Sequence, residues 1–411
     1  MNTSETQGID FPVPRDRRIV EPGTEAAWPS ASQELLLRAA VMRGPAAIAA
    51  WAQWKSRHDL VESQLDAGSF RLLPLVYKNL VEHGSDDPDL PRLKGMYRYW
   101  WCFNQVQLFR ASHLIRELHS AGINTLVLKG AGLAITYYRD TGVRPMADVD
   151  VLVPLNEARR ALDHLGALGW QPVTPHIDEE LRYRHSTPMV HRTSEEFDFH
   201  WHALREGLSA ESDTGFWKRA VPLRLVDIET RTLGPADALL HAIVHGLRWN
   251  AEPAIRWVPD AMAVLRSAGE HIDWERLVSD ARRHRLVVRL AKGIEYLHRT
   301  FDAPIPASAL ESLRRARHSP TEWLEYRYFA LGAAQRHGLL LGYAPFVWIE
   351  YLRVAAGKSI MRAAMELPGF LRYRLRGRVE PPIMAARRVA RAARWIASPA
   401  RRMSAREGGA L

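Results

Sequence analysis

The 411-residue chain is poor in several things, and each shortage narrows what it can be. It has one cysteine, Cys102, so no disulfide can form within the chain. A disulfide-stapled fold is excluded, and a reducing, cytoplasmic setting is the expectation. Long apolar runs are missing. The longest, "GLLLGYAPFVWI", ends before Glu350 and is too short to span a bilayer. The opening residues "MNTSETQGIDFPVPRDRR" have no apolar stretch of the kind a signal peptide needs. No repeat of fixed period is present. "HAIVH" has Ala242 where a zinc protease helix needs glutamate, which leaves His241 and His245 as packed or capped helix residues. "GAGLAI" carries Ile135 where a dinucleotide fingerprint needs its third glycine.

Acidic residues are scarce in one region only. Residues 351–411 hold 14 Lys and Arg against three Asp and Glu, whereas the whole chain has a formal net charge of +10. The body is therefore close to neutral and the end is basic. The overall pI does not describe a generally nucleic-acid-binding surface. The basic end, with "MAARRVARAARWIA", is a candidate for contact with an acidic surface, or a solvated tail.

The remainder reads as a globular protein, 47% hydrophobic and 25% charged. Residues 1–27 are polar and proline-bearing and read as a flexible arm. Residues 28–122 show apolar spacings of three and four and read as helices, ending in a long helix that stops at Gly122. The period changes over 123–205. "NTLVLKG", "MADVDVLVP" and "EEFDFHWHAL" read as strands, with helices "AGLAITYYRD" and "LNEARRALDHLGALGW" between them. Residues 206–377 are expected to be a helical domain, and 378–411 a basic Ala/Arg-rich tail. The fold class is α+β: a small mixed sheet flanked by N- and C-terminal helical regions, mostly α overall.

Within this frame two aspartates, Asp148 and Asp150, interrupt an apolar run. Residues two apart on a strand share a face, so the pair would stand side by side, with Val149, Val151 and Val153 on the other face. Two adjacent carboxylates repel each other unless a cation neutralises both. Hard oxygen donors favour Mg²⁺ or Mn²⁺. Asp198, between Phe197 and Phe199 on a second alternating strand, is a third candidate ligand. Three carboxylates on neighbouring strands suit two metal ions and phosphoryl transfer. Upstream, Lys129, Gly130, Ala131 and Gly132 form a strand-to-helix turn where backbone N–H groups can approach a phosphate. Lys129 and Arg144 add positive charge. His200 shares a strand face with Asp198 and is a possible accessory group. Each residue also has a plainer reading: a solvated edge strand for the aspartate pair, a structural carboxylate for Asp198, salt bridges for Lys129 and Arg144, a hydrogen-bonded ring for His200.

The order strand–Lys-Gly–helix, Arg144-Pro145-Met146, Asp148-x-Asp150, then Asp198 followed by His200-Trp201, resembles the nucleotidyltransferase superfamily with the DNA polymerase beta-like fold. It is most similar to a bacterial branch of uncharacterised nucleotidyltransferases. The motif-bearing likeness covers about 75 residues and a looser helical likeness about 330. Ala131 departs from the pattern, standing where a serine often contacts the triphosphate.

The resemblance implies a Mg²⁺- or Mn²⁺-dependent transferase using two ions, with Asp148, Asp150 and Asp198 both catalytic and metal-binding. Lys129, Gly130, Ala131, Gly132 and Arg144 would bind the nucleotide. The donor would be a nucleoside triphosphate such as ATP, and the acceptor a hydroxyl on a small molecule or peptide, in a biosynthetic tailoring step. Transfer from a nucleotide-sugar, and nucleotide binding without turnover, remain as alternatives.

Overall fold

A computed structural model describes residues 27–60, 63, 65–193, 195–248, 255–330 and 344–376. The expected N-terminal arm and basic tail lie outside these residues, apart from Ala27.

The N-terminal helices form where the sequence punctuates them. Ala31–Val41 starts at Ser30, whose side chain accepts from the Gln33 N–H while Gln33 answers back to the Ser30 N–H. Pro45–Lys55 has proline in its first turn, where the missing N–H costs nothing. The long helix runs from Leu90 to Ser120. The chain leaves it through Gly122 at φ 70°, a left-handed value that glycine adopts without strain.

Among the described residues seven strands follow: β1 Leu126–Leu128, β2 Asp150–Leu152, β3 Trp170–Pro172, β4 Ser186–His191, β5 Glu196–His200, β6 Val221–Leu225 and β7 Ile228–Thr232. Their order is β3-β4-β5-β2-β1-β7-β6. β2 runs parallel to β5 and β1 parallel to β7, while the other pairs are antiparallel. The architecture is α+β, with a mixed sheet set among more helix than strand. Residues 221–232 depart from the helical character expected of 206–377, because they form the β6–β7 hairpin. Its turn falls at Val226, with φ 58°, and Asp227. No Asn-Gly or Asp-Gly marks it, so the usual turn signal is missing.

Alternation along β2 divides the core in two. Val151 and Val153 pack with Val127, Phe199 and the long helix's Leu114, Ile115 and Leu118. On the opposite face, Leu126, Leu128 and Leu152 join a cluster that runs from Leu36, Trp51 and Leu73 to Leu240, Val258, Leu290 and Phe301. The N- and C-terminal helices therefore share one core over the same face of the sheet. Asp150 alternates with Val151, so it lies on that face, toward the helices Pro235–Gly246 and Trp257–Ala268.

A buried ionic group ties the C-terminal helices together. Arg289 donates to Glu206 at 2.5 Å and to the Val244 carbonyl at 3.2 Å, and Arg353 donates to Glu325 at 2.6 Å. Burial alone would raise the pKa of Glu206. The Arg289 guanidinium, backed by Arg353 and Arg248, overrides this and holds it at about 2. A glutamate depressed from 4.5 to about 2 stabilises the fold above pH 4.5 and loses that contribution as pH falls toward 2. We expect Glu206→Gln to lower unfolding free energy at pH 7 by roughly 3 kcal/mol. Urea unfolding at several pH values would also show a shallower acid loss in the variant. An unchanged acid limb would mean that Glu206 carries none of it.

Candidate active site

The parallel pairing of β2 with β5 sets Asp150 directly beside Asp198, and Leu152 beside His200. Asp198 and His200 are two residues apart on β5 and share a face, as expected. The His200 Nε2 lies 3.1 Å from Asp150 Oδ1 and 3.0 Å from Asp198 Oδ2. Its ring is wholly buried. Lys129, at the end of β1, places Nζ 2.5 Å from Asp150 Oδ1 and 3.9 Å from Asp198 Oδ2. The side chains of Lys129, Asp150 and Asp198 line a cleft of about 300 Å³, with Gly130, Arg144 and Asp148 on its wall.

The charges respond to one another. Burial would raise the pKa of Asp150, but the Lys129 ammonium and the His200 ring outweigh it and hold the carboxyl well below its ordinary range. Burial and Lys129 would lower the pKa of His200, but its bonds to Asp150 and Asp198 raise it. Asp148 is pushed up to about 6, by desolvation first and by the Asp150 charge second. Its side chain is nonetheless exposed. Both hold for a group on a concave rim, where one side meets water and the others meet protein.

Two expectations change. β2 begins at Asp150, so Asp148 is not its strand partner. Asp148 instead lies in the bend that leads into the strand, on the wall of the same cleft. The long helix shapes that lead-in. Asn104, fully buried, donates to the carbonyls of Thr141 and Arg144 and accepts from the Met146 N–H, and Gln107 donates to the Ala147 carbonyl. Those bonds leave residues 141–147 outside any strand ladder. Arg144 pairs with neither Asp148 nor Asp150. It makes two 2.8 Å bonds to Asp260, which also accepts from the Tyr138 hydroxyl.

Gly130 and Gly132 are needed for packing. A Cβ on Gly132 would sit 2.3 Å from Thr232 Oγ1 and 3.0 Å from the Val127 carbonyl, and one on Gly130 would meet Arg144 and Met146 at 2.9 Å. Ala131 is buried against the opposite face of the sheet.

Compared with known proteins, residues 67–302 match a family described as "Uncharacterised nucleotidyltransferase". The chain belongs to this nucleotidyltransferase family. No curated protein matches it. Among solved structures, an antigenic nucleotidyltransferase-like protein from Paracoccidioides brasiliensis aligns over 50% of this chain and 96% of its own. The identity is 13% and the TM-score 0.31, a likeness too loose to add anything.

As a nucleotidyltransferase, the enzyme has a cleft with more cationic wall than its motifs suggest. Arg71 and Arg256 line it as well as Lys129 and Arg144. Arg256 donates to the Pro145 carbonyl at 2.6 Å, and burial together with Arg144 lowers its pKa to about 10. No motif spacing links these arginines to the aspartates, although "RWVPD" carries two of the residues involved, Arg256 and Asp260. His241 and His245 also border the cleft. His241 bonds the Ala203 carbonyl at 3.0 Å, and the two rings stack 5.8 Å apart. His202 bonds Asp213 at 2.6 Å and anchors the chain after β5.

The donor set suits a metal ion. One ligand atom each from Asp150, Asp198 and His200 lie within 4.8 Å of one another. Asp198 Oδ1 is buried without a hydrogen-bond partner, a costly state for a carboxylate oxygen unless a cation completes it. No helix among the described residues is long and apolar enough to cross a membrane.

Asn104 holds three backbone groups of the loop that delivers Asp148. We expect Asn104→Ala to cost about 3 kcal/mol of stability. It should also lower turnover more than nucleotide affinity, because the loop loses its register. Chemical unfolding and kinetics check this. Full activity with an unchanged midpoint would remove Asn104 from the account.

Proposed function

We propose that the enzyme transfers a nucleotidyl group from a nucleoside triphosphate to an acceptor hydroxyl and releases pyrophosphate. The observation that carries this is the Asp150–Asp198–His200 cluster on adjacent parallel strands, its two carboxylates lining a cleft with cationic side chains on its wall. The same reading places the enzyme in the cytoplasm and within the DNA polymerase beta-like superfamily.

Asp150 and Asp198 would hold Mg²⁺ or Mn²⁺, and Asp148 would add a third carboxylate for a second ion. When bound, such ions polarise the α-phosphate and lower the pKa of an attacking hydroxyl. The chain's own groups do the rest. Asp198 takes the proton as the acceptor oxygen forms its bond to the α-phosphorus and the bond to pyrophosphate breaks. His200 orients both carboxylates. Lys129, Arg71 and Arg256 offset the phosphate charge, with Gly130 allowing the backbone to come close. Arg144 acts through Asp260 by fixing the wall. The acceptor, a small molecule or peptide, would enter from the open side of the cleft.

The test is thermal stabilisation across a panel of nucleoside triphosphates and nucleotide-sugars, with and without Mg²⁺ or Mn²⁺. A ligand at a hundred times its Kd stabilises by about 2.7 kcal/mol, a readable shift. We expect a metal-dependent shift with triphosphates, ATP among them, that is absent in Asp150→Asn and Asp198→Asn. A shift with nucleotide-sugars alone would replace the donor. No shift with any nucleotide would sink the transferase reading.

A further inference from the structure

Lys129 stands where a metal ion would have to go. Its ammonium bonds Asp150 Oδ1 at 2.5 Å and lies 3.9 Å from Asp198 Oδ2. These are the same two oxygens that His200 contacts. A divalent ion held by those carboxylates would face the ammonium at close range in a poorly solvated site, where like charges repel strongly. An ammonium and a divalent ion at those oxygens compete for the same negative charge.

We propose that Lys129 is the resident counter-ion of the metal site, holding Asp150 and Asp198 together in the free enzyme and moving to the nucleotide's phosphates when metal and nucleotide bind. The proposal rests on the metal-dependent reading above and adds an exchange of cations to it. Three further observations support it. The Lys129 backbone sits at φ 44°, a left-handed value that L-residues adopt only when their surroundings hold them there. A lysine at such a position, beside glycines packed too tightly to carry side chains, is tied to the site through its ammonium. The side chain is also not sealed in: it is 17% exposed and borders the cleft with Arg71 and Arg256. Its four-carbon stem can swing from the carboxylates into that space without moving the backbone. Asp198 Oδ1, which neither Lys129 nor His200 satisfies, remains for the incoming ion.

The exchange can be followed on the full-length wild-type chain. Lysine acetylation with mass-spectrometric readout should find Lys129 protected in the free enzyme and reactive with Mn²⁺ alone. Mn²⁺ with a non-hydrolysable triphosphate should protect it again. Mn²⁺ binding, read by the paramagnetic resonance of the free ion, should tighten by about tenfold or more in Lys129→Met, because a competing charge is gone. That variant should also melt lower than wild type without metal and recover with it; Lys129→Gln gives a second variant. A lysine that merely supports the site predicts the reverse, since its loss would weaken Mn²⁺ binding. Equal or weaker binding in the variants, or labelling of Lys129 that ignores Mn²⁺, overturns the proposal. Failure of the underlying reading looks different: wild type and variants alike would bind no Mn²⁺, with or without nucleotide.

Discussion

Parallel pairing of β2 with β5 places Asp150 beside Asp198, and the site is organised around that contact. Two carboxylates held on adjacent strands under a helical layer are unfavourable by themselves, through mutual repulsion and lost hydration. The fold meets this cost with Lys129 and His200. Lys129 supplies a full positive charge, and His200 supplies an N–H shared by both acids. Removing either would leave buried charge uncompensated. The site is therefore balanced only while both groups stay in place.

The surrounding structure keeps this arrangement in register. The long helix grips the chain ahead of β2 through Asn104 and Gln107. From the other side, Asp260 holds Arg144 while Arg256 holds the Pro145 carbonyl. One segment is thus clamped by two helices, one before the sheet in sequence and one after it. Independently of this clamp, the N- and C-terminal helices share a core over one face of the sheet. The cleft lies between layers that are joined elsewhere by Leu36, Trp51, Leu240 and Val258, so its walls have little freedom to drift.

Local chemistry made part of this legible from sequence. Asp150, Asp198 and His200 stood out because polar residues at strand period within apolar runs have few structural uses. Gly130 and Gly132 stood out as a turn, although the structure adds a reason not visible locally: Thr232, about a hundred residues on, leaves no room for a Cβ at Gly132. The position of Asp148 was not legible, because side-chain bonds from Asn104 and Gln107 set where β2 begins. The Arg144–Asp260 pair joins residues 116 apart in sequence, and no periodicity predicts it. The β6–β7 hairpin lacks a turn signature, β3 is only three residues long, and β3 and β4 each carry a proline. For Asp148 and Arg144 a distant contact decided what the local pattern left open.

The most direct measurement is a crystal structure of the enzyme with Mn²⁺ and a non-hydrolysable nucleoside triphosphate, with the metal located by anomalous scattering. The expected result is a peak at the Asp150 and Asp198 carboxylates beside the nucleotide, with the Lys129 ammonium off Asp150 and on phosphate. A nucleotide bound elsewhere, or metal absent from these carboxylates while Lys129 keeps its 2.5 Å bond to Asp150, would contradict it.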